Sequence, residues 1–352
     1  MNIKLPLLVG LASLAALVGA HAQSAVTDPV GYITSSVAGA GTVGAPVFSA
    51  ISPTLVNKVE FAGAAATVAG TAVTFTGTPL VAGAYDRAAN PAPPAPASES
   101  GFYAEAPNGE WKNIVSNTNA GLVLESGFSA AVVATNQIKI RKHVTIGDYF
   151  GATNTAGLLA GGDASSADEV IFLNSANQAL SSYFYSNLAG FTGWFDVGFN
   201  SAVNKIIPPN QGLLIARKTA APVSFVRTGY VKTGPTQLTF NNGFNVVPIP
   251  HATGTVLGDT NPANAGTDSN FFTGNLATGV QAGGDASSAD EFIILGGSTN
   301  YFYSNLAGFS GWFDVSFQDA SAVRFPEGSA VLLNRKGGGT FTWTAPAQVI
   351  AP

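Results

Sequence analysis

Cysteine is absent from the 352 residues. That excludes a disulfide scaffold, thiolate zinc sites, thiol catalysis and a lipidated N-terminal Cys. Charge is scarce as well: 15 Lys+Arg and 20 Asp+Glu make up 10% of the chain and leave a formal charge of −5. A balance this weak and this acidic offers no basic field to gather phosphates, so nucleic acid is not an expected partner. Histidine is nearly missing too. His143 and His251 stand apart from any H-E-x-x-H pairing and read as isolated surface or loop residues. Neither a G-x-S-x-G elbow nor a phosphate-cradling G-x-x-x-x-G-K-[ST] occurs, so an enzyme is not expected. Long amphipathic helices have no room, because 41 Gly and 20 Pro interrupt every window.

What is present begins at the N-terminus. Met1 to Lys4 is a short basic start, Leu5 to Ala20 is uncharged and rich in Leu and Ala, and Ala20-His21-Ala22 supplies small residues flanking one position. This is the pattern of a secretory signal, with cleavage expected after Ala22. A second uncharged stretch, Phe61 to Tyr85, is built from Ala, Gly and Thr with Pro79 inside it, and Thr71 to Thr76 alternates with the period of a strand. The expectation is a protein secreted to the periplasm, the outer surface or the medium, with no transmembrane segment once the signal is removed.

The chain repeats itself. Gly161 to Leu173 (GGDASSADEVIFL) returns as Gly283 to Leu295 with only Val170→Phe292 and Phe172→Ile294 changed. Tyr183 to Val197 (YFYSNLAGFTGWFDV) returns as Tyr301 to Val315 with one change, Thr192→Ser310, and the copies close on Arg217-Lys218 and Arg335-Lys336. Ile146-Gly147-Asp148 is similar to Leu257-Gly258-Asp259, and Phe102-Tyr103, Gly109-Glu110-Trp111 and Ile138 to Lys142 suggest a degenerate third copy. Glu169 to Leu173 reads as a strand buried on both faces, Tyr183 to Val197 as a hairpin, and Leu213 to Ala216 as an apolar strand. Arg217-Lys218 and Arg335-Lys336 read as strand-end charges that discourage edge pairing. The fold class expected is mainly β, with tandem duplicated sandwich-like modules and little helix. The divisions are a signal segment 1–22, an N-terminal β region 23–142 with a Pro/Ala-rich loop at 91–97, a first repeat module 143–228 and a second 229–352.

Thr27-Asp28-Pro29-Val30-Gly31-Tyr32-Ile33 resembles the opening of an uncharacterised family of secreted bacterial proteins. Asp168-Glu169 ahead of a strand, then Tyr183, Tyr185 and Trp194, then Pro209-Asn210-Gln211-Gly212 leading into Arg217-Lys218, fit the same resemblance. Asn242 to Pro248 (NGFNVVP) is similar to a segment of β modules common on bacterial surfaces. The resemblance implies secretion and β structure. In the second copy Pro326-Glu327-Gly328-Ser329-Ala330 departs from the turn pattern.

Two constellations bear on function. Asp163, Ser165, Asp168 and Glu169, repeated as Asp285, Ser287, Asp290 and Glu291, offer oxygen ligands suited to Ca²⁺ but in no EF-hand spacing. Their alternative use is hydrogen bonding to backbone N–H groups in a turn before the strand. Tyr183, Tyr185 and Trp194, repeated as Tyr301, Tyr303 and Trp312, are either core or an exposed platform for sugar rings, with Asn187 and Asp196 as polar partners. Asp168 and Glu169, adjacent on a strand, point to opposite faces and are ill placed as a glycosidase pair. The first reading is an exported, non-enzymatic structural or cell-surface protein, partnered by itself or by other surface proteins. The second is a carbohydrate- or ligand-binding module, and the third a secreted hydrolase. No cofactor is called for beyond the Ca²⁺ considered above.

Overall fold

The chain makes twenty-five strands and one five-residue helix among the residues that the computed structural model describes, which are 28–87, 99–252, 255–257, 280–296, 299–337, 339–345 and 347. The expected secretory segment 1–22, the Pro/Ala-rich loop 91–97 and the Gly258-Asp259 landmark lie outside them. No helix among the described residues is long and apolar enough to cross a membrane.

In chain order, β1 (Val30–Val37), β2 (Val47–Ile51) and β3 (Leu55–Val56) come first. Six strands follow: β4 (Val59–Ala69), β5 (Ala72–Phe75), β6 (Phe102–Glu105), β7 (Trp111–Asn117), β8 (Gly121–Leu124) and β9 (Gln137–Lys142). Next are β10 (Val144–Thr145), the helix α1 (Ile146–Phe150), β11 (Glu169–Asn174), β12 (Ala179–Leu188) and β13 (Phe191–Asp196). β14 (Ile206–Ile207), β15 (Leu213–Arg217) and β16 (Val223–Val231) complete this part. The remainder is β17 (Thr236–Phe240), β18 (Gly243–Pro248), β19 (Thr255–Val256), β20 (Glu291–Ile293) and β21 (Asn300–Leu306). It ends with β22 (Phe309–Asp314), β23 (Arg324–Phe325), β24 (Ala330–Arg335) and β25 (Phe341–Ala345).

The two repeats fold alike. The first has a five-stranded antiparallel sheet in the order β13-β12-β11-β15-β2, a smaller sheet β1-β16-β3 and the pair β10-β14. The second has β22-β21-β20-β24-β18, β17-β25 and β19-β23. Position by position, β17 stands for β1 and β18 for β2. Each module is sandwich-like: Val37 and Phe225 of the small sheet meet Val170, Phe172, Trp194, Leu213 and Ile215 of the large one in a single apolar core. Burial of these side chains, each contributing about 1.5–3 kcal/mol, holds the layers together. The apolar run expected at Glu169 to Leu173 to be a strand buried on both faces becomes the central strand β11, with both faces covered.

Pairing crosses the boundary expected at 142–143. β1 runs antiparallel to β16 with Gly31 opposite Gly229, and β2 pairs with β15. The first module is therefore discontinuous, and β4 to β9 are inserted between its third strand, β3, and β10. These six strands close into a barrel in the order β4-β5-β8-β7-β6-β9, around Val73, Ile114, Leu122, Ile138 and Ile140. Phe102-Tyr103, Trp111 and Ile138 to Lys142 belong to β6, β7 and β9. They are barrel strands in a different order from the repeats, which corrects the expectation of a third copy.

The one helix among the described residues has a local cause that was not anticipated. Thr145 caps it, its hydroxyl accepting from the Asp148 N–H at 3.0 Å, and the Asp148 carboxylate accepts in return from the Thr145 N–H at 3.1 Å. Gly151 then ends it with φ of 86°.

The modules are docked by backbone and amide contacts. Ile51 bridges Ser329, and Gly212 N–H donates to Val246 O. A Cβ at Gly212 would sit 2.7 Å from Val246 Cγ1, so only glycine allows this approach. Gln178 mimics a peptide unit, accepting from Phe244 N–H at 2.8 Å and donating to Phe244 O at 3.1 Å.

Candidate functional site

The Asp-rich loop folds before the strand it precedes. Asp163 Oδ1 accepts from Ser166 N–H at 2.9 Å, Ser165 Oγ at 2.8 Å and Ser166 Oγ at 2.9 Å. Asp285 repeats the turn with Ser288 N–H at 3.0 Å and Ser287 Oγ at 2.8 Å. These hydroxyl and N–H donors, those of Ser165 and Ser166 above all, hold the Asp163 carboxyl below its usual range. A Cβ on Gly161 would lie 2.5 Å from Ser166 Oγ, so the invariant start of the repeat is a packing requirement.

Asp168 is buried and Glu169 is half-buried on the opposite side. Asp168 accepts from the Lys218 N–H at 2.8 Å through Oδ1, and from the Leu159 N–H at 2.7 Å and the Arg217 guanidinium through Oδ2. Lys218 Nζ lies 2.6 Å from Glu169 Oε1. The second copy has the same knot: Asp290 accepts from Gln281 N–H at 2.9 Å, Lys336 N–H at 2.8 Å and Arg335 Nη1 at 3.2 Å, and Lys336 pairs with Glu291 at 3.0 Å. The strand-end reading of Arg217-Lys218 and Arg335-Lys336 is thus corrected. Adjacent strands bring these cations onto the acids, with Glu169 facing Ala216 in register.

The Ca²⁺ candidates Asp163, Asp168, Glu169, Asp285, Asp290 and Glu291 do not converge. Asp163 and Asp285 face their own turns, while the other four are occupied by cations and N–H donors. No group of three or more His, Cys, Asp or Glu side chains able to hold a metal is found among the described residues. A divalent ion would have to displace Arg217 or Lys218, whose positive charges already sit there.

The aromatic hairpin is formed as expected, with β12 and β13 joined at Ala189-Gly190 and Tyr185 opposite Trp194. Gly190 takes φ of 83° in this tight turn. Trp194 is buried at 1% exposure, packs edge-on to Tyr185 at 5.5 Å, and donates from Nε1 to Gly151 O at 2.8 Å. Trp312 is buried at 4% and stands edge-on to Tyr303 at 5.4 Å, and Tyr301 packs against the same core. An exposed platform of Tyr183, Tyr185 and Trp194, or of Tyr301, Tyr303 and Trp312, is therefore not what the fold makes. Only Tyr183 of the first set reaches an open cleft, and it does so beside Lys205.

The opposite face of each hairpin carries a feature that the motif reading passed over. Leu188, Phe191 and Phe195 share one face by strand alternation, with Phe184 beneath them, and Phe199 packs on Phe184, Phe191 and Phe195 at 5.5–5.9 Å. Leu306, Phe309, Phe313 and Phe317 repeat this over Phe302. Phe191 is 50% exposed and Phe309 53%. Phe199 and Phe317 both hold φ of 58°, a left-handed backbone that a bulky residue seldom adopts. Gly198 and Asn200 become Ser316 and Gln318 between copies while the phenylalanine stays. The signal was in the sequence as F-x-x-x-F-x-x-x-F, an even spacing that puts Phe191 and Phe195 on one strand face.

A second charge knot joins the barrel to the first module. The buried Arg141 pairs with Asp28, donates from Nε to Glu105 at 2.8 Å and from Nη1 to Asn57 O at 2.8 Å, and Lys232 reaches Glu105 at 3.1 Å. Burial alone would raise the Glu105 carboxyl, but Lys232 and Arg141 hold it below its usual range. Asp28 of the TDPVGYI opening is thus a fastener. His143 is buried and not a surface residue as expected: its Nε2 lies 2.8 Å from Asn113 Oδ1, between the Tyr103 and Trp111 rings. Burial lowers its pKa to about 3, so it stays neutral. His251 is buried as well.

A cleft of about 410 Å³ opens where the barrel and both modules meet. Trp111 comes from β7, Phe172 and Tyr183 from β11 and β12, Lys205 and Asn210 from the loops around β14, and Gln237 from β17. No family model matches this chain, and neither a curated protein nor a solved structure does.

Proposed function

We propose that this chain is an exported, non-catalytic structural protein of the cell exterior that assembles with further copies of itself through its two hairpin faces. The observation that carries this reading is the duplicated apolar face, Leu188-Phe191-Phe195-Phe199 and Leu306-Phe309-Phe313-Phe317, in which Leu188, Phe191, Leu306 and Phe309 are exposed and the other four phenylalanines half-buried. Contiguous exposed apolar surface on a soluble protein marks a place where something docks. A second copy is the occupant that fits, because an uncharged apolar face is self-complementary across a two-fold axis. A chain bearing two such faces links to two neighbours, and repeated links that do not close give a filament or lattice. Export is supported by the Met1 to Ala22 pattern. The absence of catalysis is supported by the use of Asp168, Glu169, Arg217 and His143 inside structural contacts. Sedimentation velocity over a hundredfold concentration range tests the reading. Multimers that grow with concentration are expected; a monomer at every concentration would defeat it.

A further inference from the structure

The cleft between the three bodies is separate from the hairpin faces, and its chemistry is specific. Among its described lining residues only Lys205 carries a charge, and Nζ is paired with the Glu99 carboxylate. An interior with its one charge compensated repels neither sign and gives a phosphate or a metal ion no counter-charge. Four rings, Trp111, Phe172, Tyr183 and Phe240, contribute flat apolar surface; Phe172 and Tyr183 stand edge-on at 5.1 Å with the Lys205 ammonium 5.9 and 6.0 Å from their centres. Leucine, valine and proline side chains extend the apolar lining, and amides and hydroxyls such as Asn210, Gln211, Gln237 and Ser181 supply the polar groups. Asn210, held at φ of 69°, donates from Nδ2 to Gln237 O at 2.5 Å and so fixes the Pro208-Pro209-Asn210-Gln211 turn against β17.

The repeats themselves mark this place. The copies agree almost throughout Gly161 to Leu173 and Tyr183 to Val197, yet they part at cleft positions. Phe172 is replaced by Ile294, and by the fixed spacing to the closing Arg-Lys pair, Lys205 by Val323, Asn210 by Gly328 and Gln211 by Ser329. Among the described residues the first copy carries the aromatic and amide set, and there the barrel and the other module complete a cavity. Sites between domains, mostly apolar with a few convergent polar groups and volumes of about 300–1,000 Å³, are where ligands are held.

We infer that this cleft binds a neutral oligosaccharide segment. Sugar rings present apolar C–H faces that stack on Trp111 and Tyr183, and hydroxyls that exchange hydrogen bonds with Asn210, Gln211 and Gln237 side chains. Because the cleft is open, a length of polymer can lie across it.

The test uses the full chain after signal removal, titrated calorimetrically with maltohexaose, cellohexaose, xylohexaose and chitohexaose, and in parallel by tryptophan emission, to which Trp111 contributes. Saturable binding of at least one of these probes is expected, weakened tenfold or more by Tyr183→Ala. Tyr301→Ala, the matching position in the second copy and outside the cleft, is expected to leave it unchanged. Gln237→Ala and Asn210→Gly, which keep the core and the left-handed turn, guard against a Tyr183 variant that folds poorly, and both are expected to weaken binding. No saturable heat or emission change with any of the four at about 10 mM, a level that would detect millimolar affinity, overturns the inference. So does binding that Tyr183→Ala, Gln237→Ala and Asn210→Gly all leave intact.

Discussion

Replacing Asp168 by Asn removes one charge and leaves the volume nearly unchanged, so it isolates the buried knot of the first module. In the native fold Asp168 Oδ1 and Oδ2 accept from two backbone N–H groups and from Arg217, and Arg217 is itself buried. An Asn has one acceptor oxygen and turns an NH₂ toward a site built of donors. At least one bond is lost, and the guanidinium is stranded in a low-dielectric interior. Breaking a buried pair from one side costs about 3–5 kcal/mol. That is about a fifth or more of the stability of a typical domain. Adding Arg217→Met removes the stranded charge, so the double variant is expected to recover at least about 1–2 kcal/mol relative to Asp168→Asn. Urea titrations read by tryptophan emission, with Trp194 in the first module's core, and by circular dichroism give the midpoints. A loss below about 1 kcal/mol for Asp168→Asn, the ordinary effect of a surface change, refutes the reasoning. A double variant no more stable than the single one refutes it equally.

Two further outcomes follow from the same contacts. His143 is neutral in the fold with its pKa lowered to about 3, whereas an unfolded histidine titrates near 6.5. Its contribution is fully present above about pH 6.5 and is lost at about 1.4 kcal/mol per pH unit as pH falls toward 3. His143→Gln is expected to flatten the fall in stability between pH 6 and 5 by that slope, above about pH 5, where the contribution of depressed carboxyls such as Glu105 begins to be lost, and an unchanged slope would contradict the buried neutral ring. EDTA and millimolar Ca²⁺ are each expected to leave the melting temperature unchanged, since Lys218 and Arg217 occupy the acids; a rise with Ca²⁺ that Asp163→Asn abolishes would restore the metal reading.

Much of the β architecture was legible. Period-two alternation marks β5, an unbroken apolar run marks β11, and the Asn- and Gly-bearing stretch Ser186 to Gly193 between aromatic segments marks the hairpin of β12 and β13, whose turn the structure narrows to Ala189-Gly190. The duplication locates both modules because their large sheets come from nearly identical strings. What stayed hidden is non-local. β1 (VGYITSSV) and its structural counterpart β17 (TQLTF) share no string, and only pairing with β16 and β25 shows them to be equivalent. Barrel closure depends on β4 meeting β9 far along the chain, a register that no local pattern states. Arg217 and Asp168 are 49 residues apart, and Arg335 and Asp290 are 45 apart. Their joint recurrence in a chain with so few charges was nevertheless a readable hint that they belong together. The cleft needs three bodies, so no segment alone announces it.

Counting the linking faces by sedimentation velocity bears most directly on the assembly claim. With Phe191→Ser or Phe309→Ser alone, one face remains, and association is expected to stop at a dimer. With both changed, the chain is expected to be a monomer of unaltered circular dichroism. A double variant that still forms the same multimers as the parent chain would contradict the account.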